Sequence, residues 1–453
     1  MEQKKNNYLN AKSIHIFAYP IRIKAMNKKT NETLEEKLPN LGWKKRAEKY
    51  TEEWDCLKSA YATKQYRTKN ANKIFEDNDS LCKTYVSDKV SLGVYKFNIV
   101  CKEKTYVLNF DEMELHVYQD DFAIVFVKAL NMSYADIETI KIINDKGRCM
   151  GLPFIPDEKD GFIVCPEKIE ISDKTQSYAA INYREIANDM LLNEDVQEKS
   201  FNKNFVSKLF NNFETDITGF DLEIGNDYRC FLISMIRNKE LSYNMQLNKW
   251  QDSMEFEKEW YAILHADENG PSCTSDEMLK QLLDAKSYYR WMGKGTIYGV
   301  TEYSFVALVS TDEGVNNIAV TPFYTSYMDM VSLVLAQKNG VMSLMVEVEK
   351  TAKEFKGKII RTGKLTELQK KYAVWKNEIL ISEYSDQEQG IELYKLMQEQ
   401  MLVFKEKSYL DEKVQALYEI AVVCNERRLN TFGLIISIIS LVISVVALFV
   451  GAS

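Results

Sequence analysis

Hydrophobic and polar residues alternate in short runs over the first third of the chain. The stretch SIHIFAYPIRI, residues 13–23, alternates as a half-buried strand does. Four similar runs follow between residues 94 and 130, separated by EK, DE and DD pairs: VYKFNIV, TYVLNF, MELHVYQ and AIVFVKAL. SYADIETIKIIN, with Ser133 and Asp136 as a capping pair, predicts a helix on this sheet. Residues 1–175 therefore predict an α+β domain with one helical face, into which a polar insertion, residues 28–92, is placed.

The middle of the chain, residues 176–325, predicts a mixed region that completes the same body. Residues 176–270 favour helices, including the patch YRCFLISMIR. A second β section covers residues 295–323, with TIYGVTEYSFVALVS, a TDEGVNN turn and IAVTPF. The sequence GKGTIYG, residues 293–299, lacks the spacing of a phosphate loop and predicts a glycine-rich turn between two strands.

Helical periodicity dominates from residue 324 onward. Residues 326–355 and 364–407 keep apolar positions at helical spacing and are separated by GKIIRTGK, which predicts an antiparallel hairpin. Residues 408–430 predict a further helix that leads into the last segment. We therefore expect residues 326–430 to form a long helical hairpin and stalk.

The last segment, residues 431–453, predicts a transmembrane helix. Residues 432–450 carry no charge, and as a helix they would span roughly 28 Å, close to the hydrocarbon core of a bilayer. Arg427 and Arg428 precede this run and no basic residue follows it. The positive-inside rule then predicts a single-pass, tail-anchored protein of the cell membrane with its body in the cytoplasm.

Small residues recur inside this apolar segment at spacings of 4, 3, 4, 3 and 4. At about 100° per residue they lie within roughly 40° of one line along the helix. Such a seam indicates contact with further copies of the same helix. Its members are Gly433, Ser437, Ser440, Ser444, Ala447 and Gly451.

Two arrangements fit this seam. In a dimer the small residues allow close approach of two backbones, whereas in a ring of four or five helices the hydroxyls line a wettable pore. In a continuous helix the seam extends upstream through Asp411, Gln415, Glu419, Val422 and Glu426. Of these, Glu419 and Glu426 would gather carboxylates at a cytoplasmic mouth. An apolar stripe on the other side would pack on the protomer's own body: Leu410, Val414, Leu417, Ala421 and Cys424.

The composition and the motif content limit the functions that the chain can have. The formal net charge of -8 argues against nucleic acid as a partner, and the charged, core-less N-terminus is not a signal peptide. The 8 cysteines form no CxxC pair, so free thiols are expected, and no recognised catalytic or metal motif occurs. His265 with Asp267, or Cys165 with a distant histidine, could form a catalytic pair only through folding. We expect no enzyme, no metal and no resident cofactor.

Several phrases resemble the CorA-like membrane proteins of bacterial defence loci. They are INDKGRCMGLPF, GTIYGVTEYSFVAL, FYTSYMDMVSLVLAQ and SDQEQGIELY, and residues 326–453 also resemble the CorA divalent-cation transporters in architecture. The transporter family's GMN triplet and second membrane helix are absent from this sequence. The resemblance therefore implies a ring-forming helix coupled to a cytoplasmic sensing domain, rather than a metal filter.

These observations predict a homo-oligomeric membrane effector whose cytoplasmic domain senses a small signal, such as a nucleotide, and gates a pore in anti-phage defence. A membrane scaffold or receptor without conduction is the first alternative, and a divalent cation transporter is the second. Candidate ligand contacts are polar residues in apparent turns: Asn144, Lys146, Arg148, Arg237, Lys294 and Tyr298.

Overall fold

The computed structural model describes most of the chain in segments. They are residues 8–25, 33–46, 64–75, 80–90, 94–119, 122–149, 165–186, 199–214, 220–224, 229–246, 254–354 and 362–450. The chain divides into two compact units, which we call the body (Met1–Gln337 and Glu378–Leu402) and the helical unit (Lys338–Asn377 and Val403–Ser453).

The body is built on one mixed sheet, 13-stranded in the described part of the chain. Its strands are β1 (Ser13–Ala25), β2 (Trp43–Lys45), β3 (Cys82–Ser87), β4 (Lys96–Val100), β5 (Thr105–Tyr118), β6 (Phe122–Asn131), β7 (Lys168–Ser172), β8 (Ser177–Asn182), β9 (Phe220–Ile224), β10 (Phe231–Arg237), β11 (Ser287–Tyr288), β12 (Ile297–Val300) and β13 (Ser304–Val309).

The strand order is β11-β12-β13-β10-β1-β6-β5-β4-β7-β8. The long strand β5 pairs with β4 over its first half and with β3 over its second, and β3 in turn pairs with β2. Strand β1 likewise pairs with β10 and then with β9 along one edge. Among the described pairings, β10–β13 is parallel and the others are antiparallel.

The helices are numbered in chain order. They are α1 (Leu34–Lys37), α2 (Lys69–Phe75), α3 (Ile137–Gly147), α4 (Lys199–Phe210), α5 (Lys239–Gln246), α6 (Glu255–His265), α7 (Asp276–Lys286), α8 (Glu313–Pro322), α9 (Met328–Glu354), α10 (Thr362–Val374), α11 (Glu388–Gln400) and α12 (Val403–Val450). Short 3-10 helices cover Pro39–Leu41 and Met292–Lys294, and π-helical turns cover Phe323–Tyr327 and Trp375–Ile379.

Both faces of the sheet are buried, which explains why its central strands carry few exposed residues. Along β5, Met113, Leu115 and Val117 belong to the main hydrophobic core. The alternate residues His116 and Tyr118 point to the other face, where both hydrogen-bond Ser332 of α9. The mixed α+β class is confirmed. The sequence predicted helices on one face of the sheet, and α3 covers that face. The opposite face is covered by α9, which comes from much later in the chain.

The patch YRCFLISMIR is a strand rather than the expected helix. Its residues 231–237 form β10, which lies between β1 and β13 and is buried along its whole length. A strand covered on both faces shows no alternation of polar and apolar positions, so a short apolar run does not reveal its own periodicity.

Two turn assignments also differ from expectation. IAVTPF lies in α8 and the π-helical turn, not in a strand. The DE pair between TYVLNF and MELHVYQ makes no turn, because β5 runs through it with a bulge between Phe110 and Glu112. The glycine-rich turn before β12 is confirmed, with Gly295 at a φ of 71°.

The helical unit contains the C-terminal part of α9, α10 and α12. Lys371 pairs with Glu347 at 2.8 Å, and a Cβ on Gly340 would meet the Trp375 ring at 2.4 Å, so α9 and α10 run antiparallel as expected. The expected helix over residues 364–407 is interrupted, however. Residues 380–387 are not helical, and Leu402 has a φ of 60°, which separates α11 from α12.

We predict that Gly299→Ala destabilises the body, whereas Gly293→Ala does not. A Cβ at Gly299 would lie 2.6 Å from Leu264 Cδ1 and 2.8 Å from Trp260 Cζ2, so the core would have to shift at a cost of about 1–3 kcal/mol. A Cβ at Gly293 meets nothing within 4 Å. Denaturant midpoints of the two variants measure the difference, and equal midpoints would contradict the tight packing.

Candidate functional site

A cluster of buried charges lies between β5 and the first turn of α9. At its centre, Asp329 accepts two hydrogen bonds of 2.9 Å from Arg46 and a further one from Arg67. Burial alone would raise the pKa of Asp329, but the two guanidinium charges outweigh burial and hold that pKa well below its usual range. Asp329 is therefore a carboxylate fixed from two directions by the polar insertion.

The cluster continues onto the sheet through Glu114. Arg46 reaches Glu114 at 3.4 Å, and Lys128 of β6 pairs with Glu114 and, at 3.2 Å, with Glu112. Three cations thus face three carboxylates in an almost dry environment. Such a balanced set is tolerated because each charge has partners, while loss of one partner leaves a buried charge uncompensated.

A hydrogen-bond chain leads from Tyr118 into this cluster. His116 Nε2 lies 3.3 Å from Glu114, and a carboxylate only accepts, so Nε2 carries the proton. His116 Nδ1 then accepts from Ser332 at 2.8 Å, and the Tyr118 hydroxyl donates to Ser332 at 2.9 Å. Burial lowers the pKa of His116, consistent with this neutral ring. Serine, imidazole and carboxylate are in contact, but all are buried, and their evident role is to fix α9 on the sheet.

The predicted ligand residues Asn144, Lys146 and Arg148 lie at the end of α3, not in turns. Asn144 is buried and its Oδ1 accepts from His15 Nδ1 at 2.8 Å. Lys146 pairs with Glu268 at 2.6 Å. Arg148 caps the helix and donates to the carbonyl of His265 at 3.0 Å. The structure therefore brings these three residues together beside the end of α6.

The other predicted ligand residues lie apart from α3's end. Arg237 is the last residue of β10 and donates to the Ala11 carbonyl at 2.6 Å, and burial lowers its pKa to about 10. Tyr298 is buried in β12 and stacks on Phe305. Lys294 is exposed at the end of a 3-10 helix. Among the described residues, no group of three or more histidine, cysteine or carboxylate side chains is arranged to hold a metal ion.

Helix α12 is continuous from Val403 to Val450 and does not break before the apolar segment. Its upstream half buries three members of the predicted stripe, Leu410, Leu417 and Ala421, at 0%, 3% and 2% exposure. Val414 is half-buried, and the side chain of Cys424 lies outside the described residues. On another side, Gln415 donates to Glu419 at 2.9 Å, and Glu419 and Glu426 are exposed. The buried stripe and the acidic positions lie on opposite sides of the helix, as the helical period predicts.

The apolar segment of α12 is exposed in the described chain. Leu434, Ile436 and Leu441 are 63%, 63% and 66% exposed, and nothing lies within 4 Å of a Cβ placed on Gly433. Ser437 and Ser444 donate back to the carbonyls of Gly433 and Ser440, each at 2.8 Å. Side-chain packing at Ala447 and the whole of Gly451 lie outside the described residues.

One helical stretch in the described residues, Ile318–Lys353, is long and apolar enough to cross a membrane by length and composition. About three quarters of its most apolar window, 76%, is buried inside the protein. A core helix of a soluble domain passes the same test, and α9 contributes Met330, Leu333 and Val334 to the interior. Membrane crossing by residues 432–450 therefore stays a prediction that rests on their charge-free sequence and their exposure.

Sequence reasoning missed the charge cluster altogether. Asp329, Arg46 and Arg67 are far apart in the chain, and only the fold joins them. One signal was available, because Glu112, Glu114 and His116 follow one another at every second position of a strongly apolar stretch. Polar residues on one face of a buried strand need partners on that face.

No protein-family model, curated protein or solved structure matches the chain.

We predict that Asp329→Ala lowers the free energy of unfolding of the body by about 3–5 kcal/mol, because the buried Arg67 and the part-buried Arg46 lose their shared partner. Asp312→Ala is the matched control, since Asp312 is exposed and caps nothing with its side chain, and we expect it to change stability by less than about 0.5 kcal/mol. Chemical denaturation measures both, and a small effect at Asp329 would contradict the cluster.

We also predict that stability decreases as pH falls from about 6.5 to 4. Burial lowers the pKa of His15 to about 4, so the unfolded chain takes up a proton before the folded chain does. This histidine alone contributes a slope of up to about 1.4 kcal/mol per pH unit. The variant His15→Gln is expected to flatten the pH profile by that share, whatever it does to stability at pH 7. An unchanged slope would contradict a neutral His15.

Proposed function

We propose that the protein is a homo-oligomeric membrane effector whose C-terminal helix forms a pore under the control of the body. The single observation that carries the proposal is the charge-free end of α12, whose described side chains, those of residues 433–441 and of Ser444, are exposed. A bilayer is the environment that such a surface fits, because exposed apolar area of this extent is unfavourable in water.

The internal hydrogen bonds of the serines support a location in lipid or at a helix seam. Because Ser437 and Ser444 bond back to their own helix, no hydroxyl proton of theirs is left without an acceptor. What these residues then offer to a neighbouring copy is small size and an oxygen lone pair. Both favour close helix approach, and in a ring of four or five helices the same oxygens face the central space.

Exposed acidic groups continue the seam on the cytoplasmic side. Glu419 and Glu426 lie on the line of the small residues, and both are exposed. In a ring they concentrate cations at the mouth and repel anions. This supports a cation-permeable pore, with a small cytoplasmic signal, such as a nucleotide, that biases the open state. A role in anti-phage defence rests on the sequence resemblance alone.

A membrane scaffold or receptor is the second candidate. The same helix anchors it, and the seam then serves a dimer without conduction. A divalent cation transporter is less well supported, since this sequence contains no GMN triplet.

We predict that Ser440→Leu and Ser444→Leu each abolish ion flux in liposomes containing the purified protein. A leucine on the seam fills the space between helices and removes a hydroxyl from the pore wall. The measurement is cation flux into the liposomes, followed with a fluorescent indicator inside them, and the amount of inserted protein is quantified in parallel.

The matched control is Ile438→Leu, which conserves volume on the side of the helix away from the seam and is expected to leave flux unchanged. If the parent protein inserts into the membrane as a two-fold symmetric particle and conducts no ions, the pore proposal is wrong and the scaffold is supported.

A further inference from the structure

Around the end of α3, four buried polar atoms have no hydrogen-bond partner among the described residues. They are Asn144 Nδ2, Arg148 Nε, Ser234 Oγ and His265 Nε2. Asn144 and Ser234 are fully buried, and Arg148 is 4% exposed. Native interiors leave few such groups without partners, because each costs free energy. Four of them in one region of the body therefore call for a specific explanation.

One helical turn and one hydrogen bond link Asn144, Arg148 and His265, and His15 links Ser234 to them. Asn144 and Arg148 are one turn apart at the end of α3, and Arg148 donates to the carbonyl of His265. His15 bonds Asn144 and lies opposite Ser234 in the pairing of β1 with β10. They thus share the sheet face that α3 and α6 cover. His265 is only partly buried, so this region reaches solvent at the end of α6.

All four groups can donate a hydrogen bond, and charges of both signs surround them: Arg229 and Lys286 on one side of the balance, Asp145 and Asp267 on the other. Arg148 has a carboxylate, that of Asp145, only at 3.7 Å. Burial lowers the pKa of Arg148, and the charge of Arg229 lowers it further. Burial also lowers the pKa of His265 to about 4; Lys286 and Arg148 act in the same direction, and Asp267 opposes them. An acceptor-rich, negatively charged group would satisfy the donors and give Arg148 a closer partner than Asp145.

We propose that Asn144, Arg148, Ser234 and His265 form a binding site for a small oxyanion group, such as a phosphate or carboxylate of the signal molecule. The assignment of this ligand as a signal rests on the proposed function. The planar Arg148 guanidinium supplies the charge and a directed Nε–H, while Asn144 and Ser234 orient the oxygens. Lys146 is held by Glu268 and stands at the edge of the site.

The test uses the full chain in detergent, with thermal unfolding followed by tryptophan fluorescence at increasing sodium phosphate and constant ionic strength. Phosphate stabilises many proteins weakly and without saturation, whereas a site adds a saturable rise in Tm. We expect a saturable rise for the parent, weakened at least about tenfold in apparent affinity by Arg148→Met. Because Arg148→Met removes the hydrogen bond to the His265 carbonyl as well as the unpartnered Nε–H, the phosphate response of each variant is measured from its own phosphate-free Tm.

Arg184→Met is the matched control, since Arg184 is an exposed arginine paired at the surface with Glu167, and it is expected to respond as the parent does. Absence of a saturable response in the parent would overturn the proposal, as would an equal response of Arg148→Met. A variant with lower Tm and an unchanged phosphate response would assign Arg148 a structural role. Liposome flux does not enter this test, so loss of the site leaves the proposed pore standing.

Discussion

The body depends on keeping charge buried between its sheet and helix α9. Asp329 has no access to water, and it is stable there because Arg46 and Arg67 approach it from the polar insertion. Each arginine needs this carboxylate and the carboxylate needs the arginines, since an unpaired charge in such a place costs several kcal/mol. The start of α9, the strands that carry Glu114 and Lys128, and the insertion are therefore held to one arrangement.

The polar insertion is consequently a structural part of the body. Besides the ion pair to Asp329, its Arg67 donates to Tyr384 Oη at 3.0 Å and forms an isolated β-bridge with Ser385. Ser385 donates to the Tyr66 carbonyl at 2.6 Å, and Thr68 N–H donates to the Tyr384 carbonyl at 2.9 Å. These contacts give residues 380–387 partners outside a helix, which accounts for the interruption of helical structure there.

Two described regions of the molecule have groups without binding partners, and the two regions differ in polarity. The exposed end of α12 is apolar and suits lipid and neighbouring copies. The end of α3 presents buried donors around Arg148 and suits an anion. A membrane effector controlled by a ligand requires one surface of each kind, a helix that meets the bilayer and a site whose occupancy changes the body's energy. The proposals about both surfaces are independent in their tests.

The sequence by itself determined the features that follow from local periodicity. Side-chain direction repeats every 2 residues in a strand and every 3.6 residues in a helix. This made three features predictable: the strand over residues 13–23, the helix that contains Asn144, and the apolar and acidic faces of α12. Burial of Leu410 and Leu417, opposite the exposed acids, follows from that rule alone. The tertiary structure decided what depends on distant partners. It placed β10 inside the sheet, where cover on both faces removes the alternation, and it joined Arg46, Arg67 and Asp329. No pattern within one segment encodes a contact whose partners lie hundreds of residues apart.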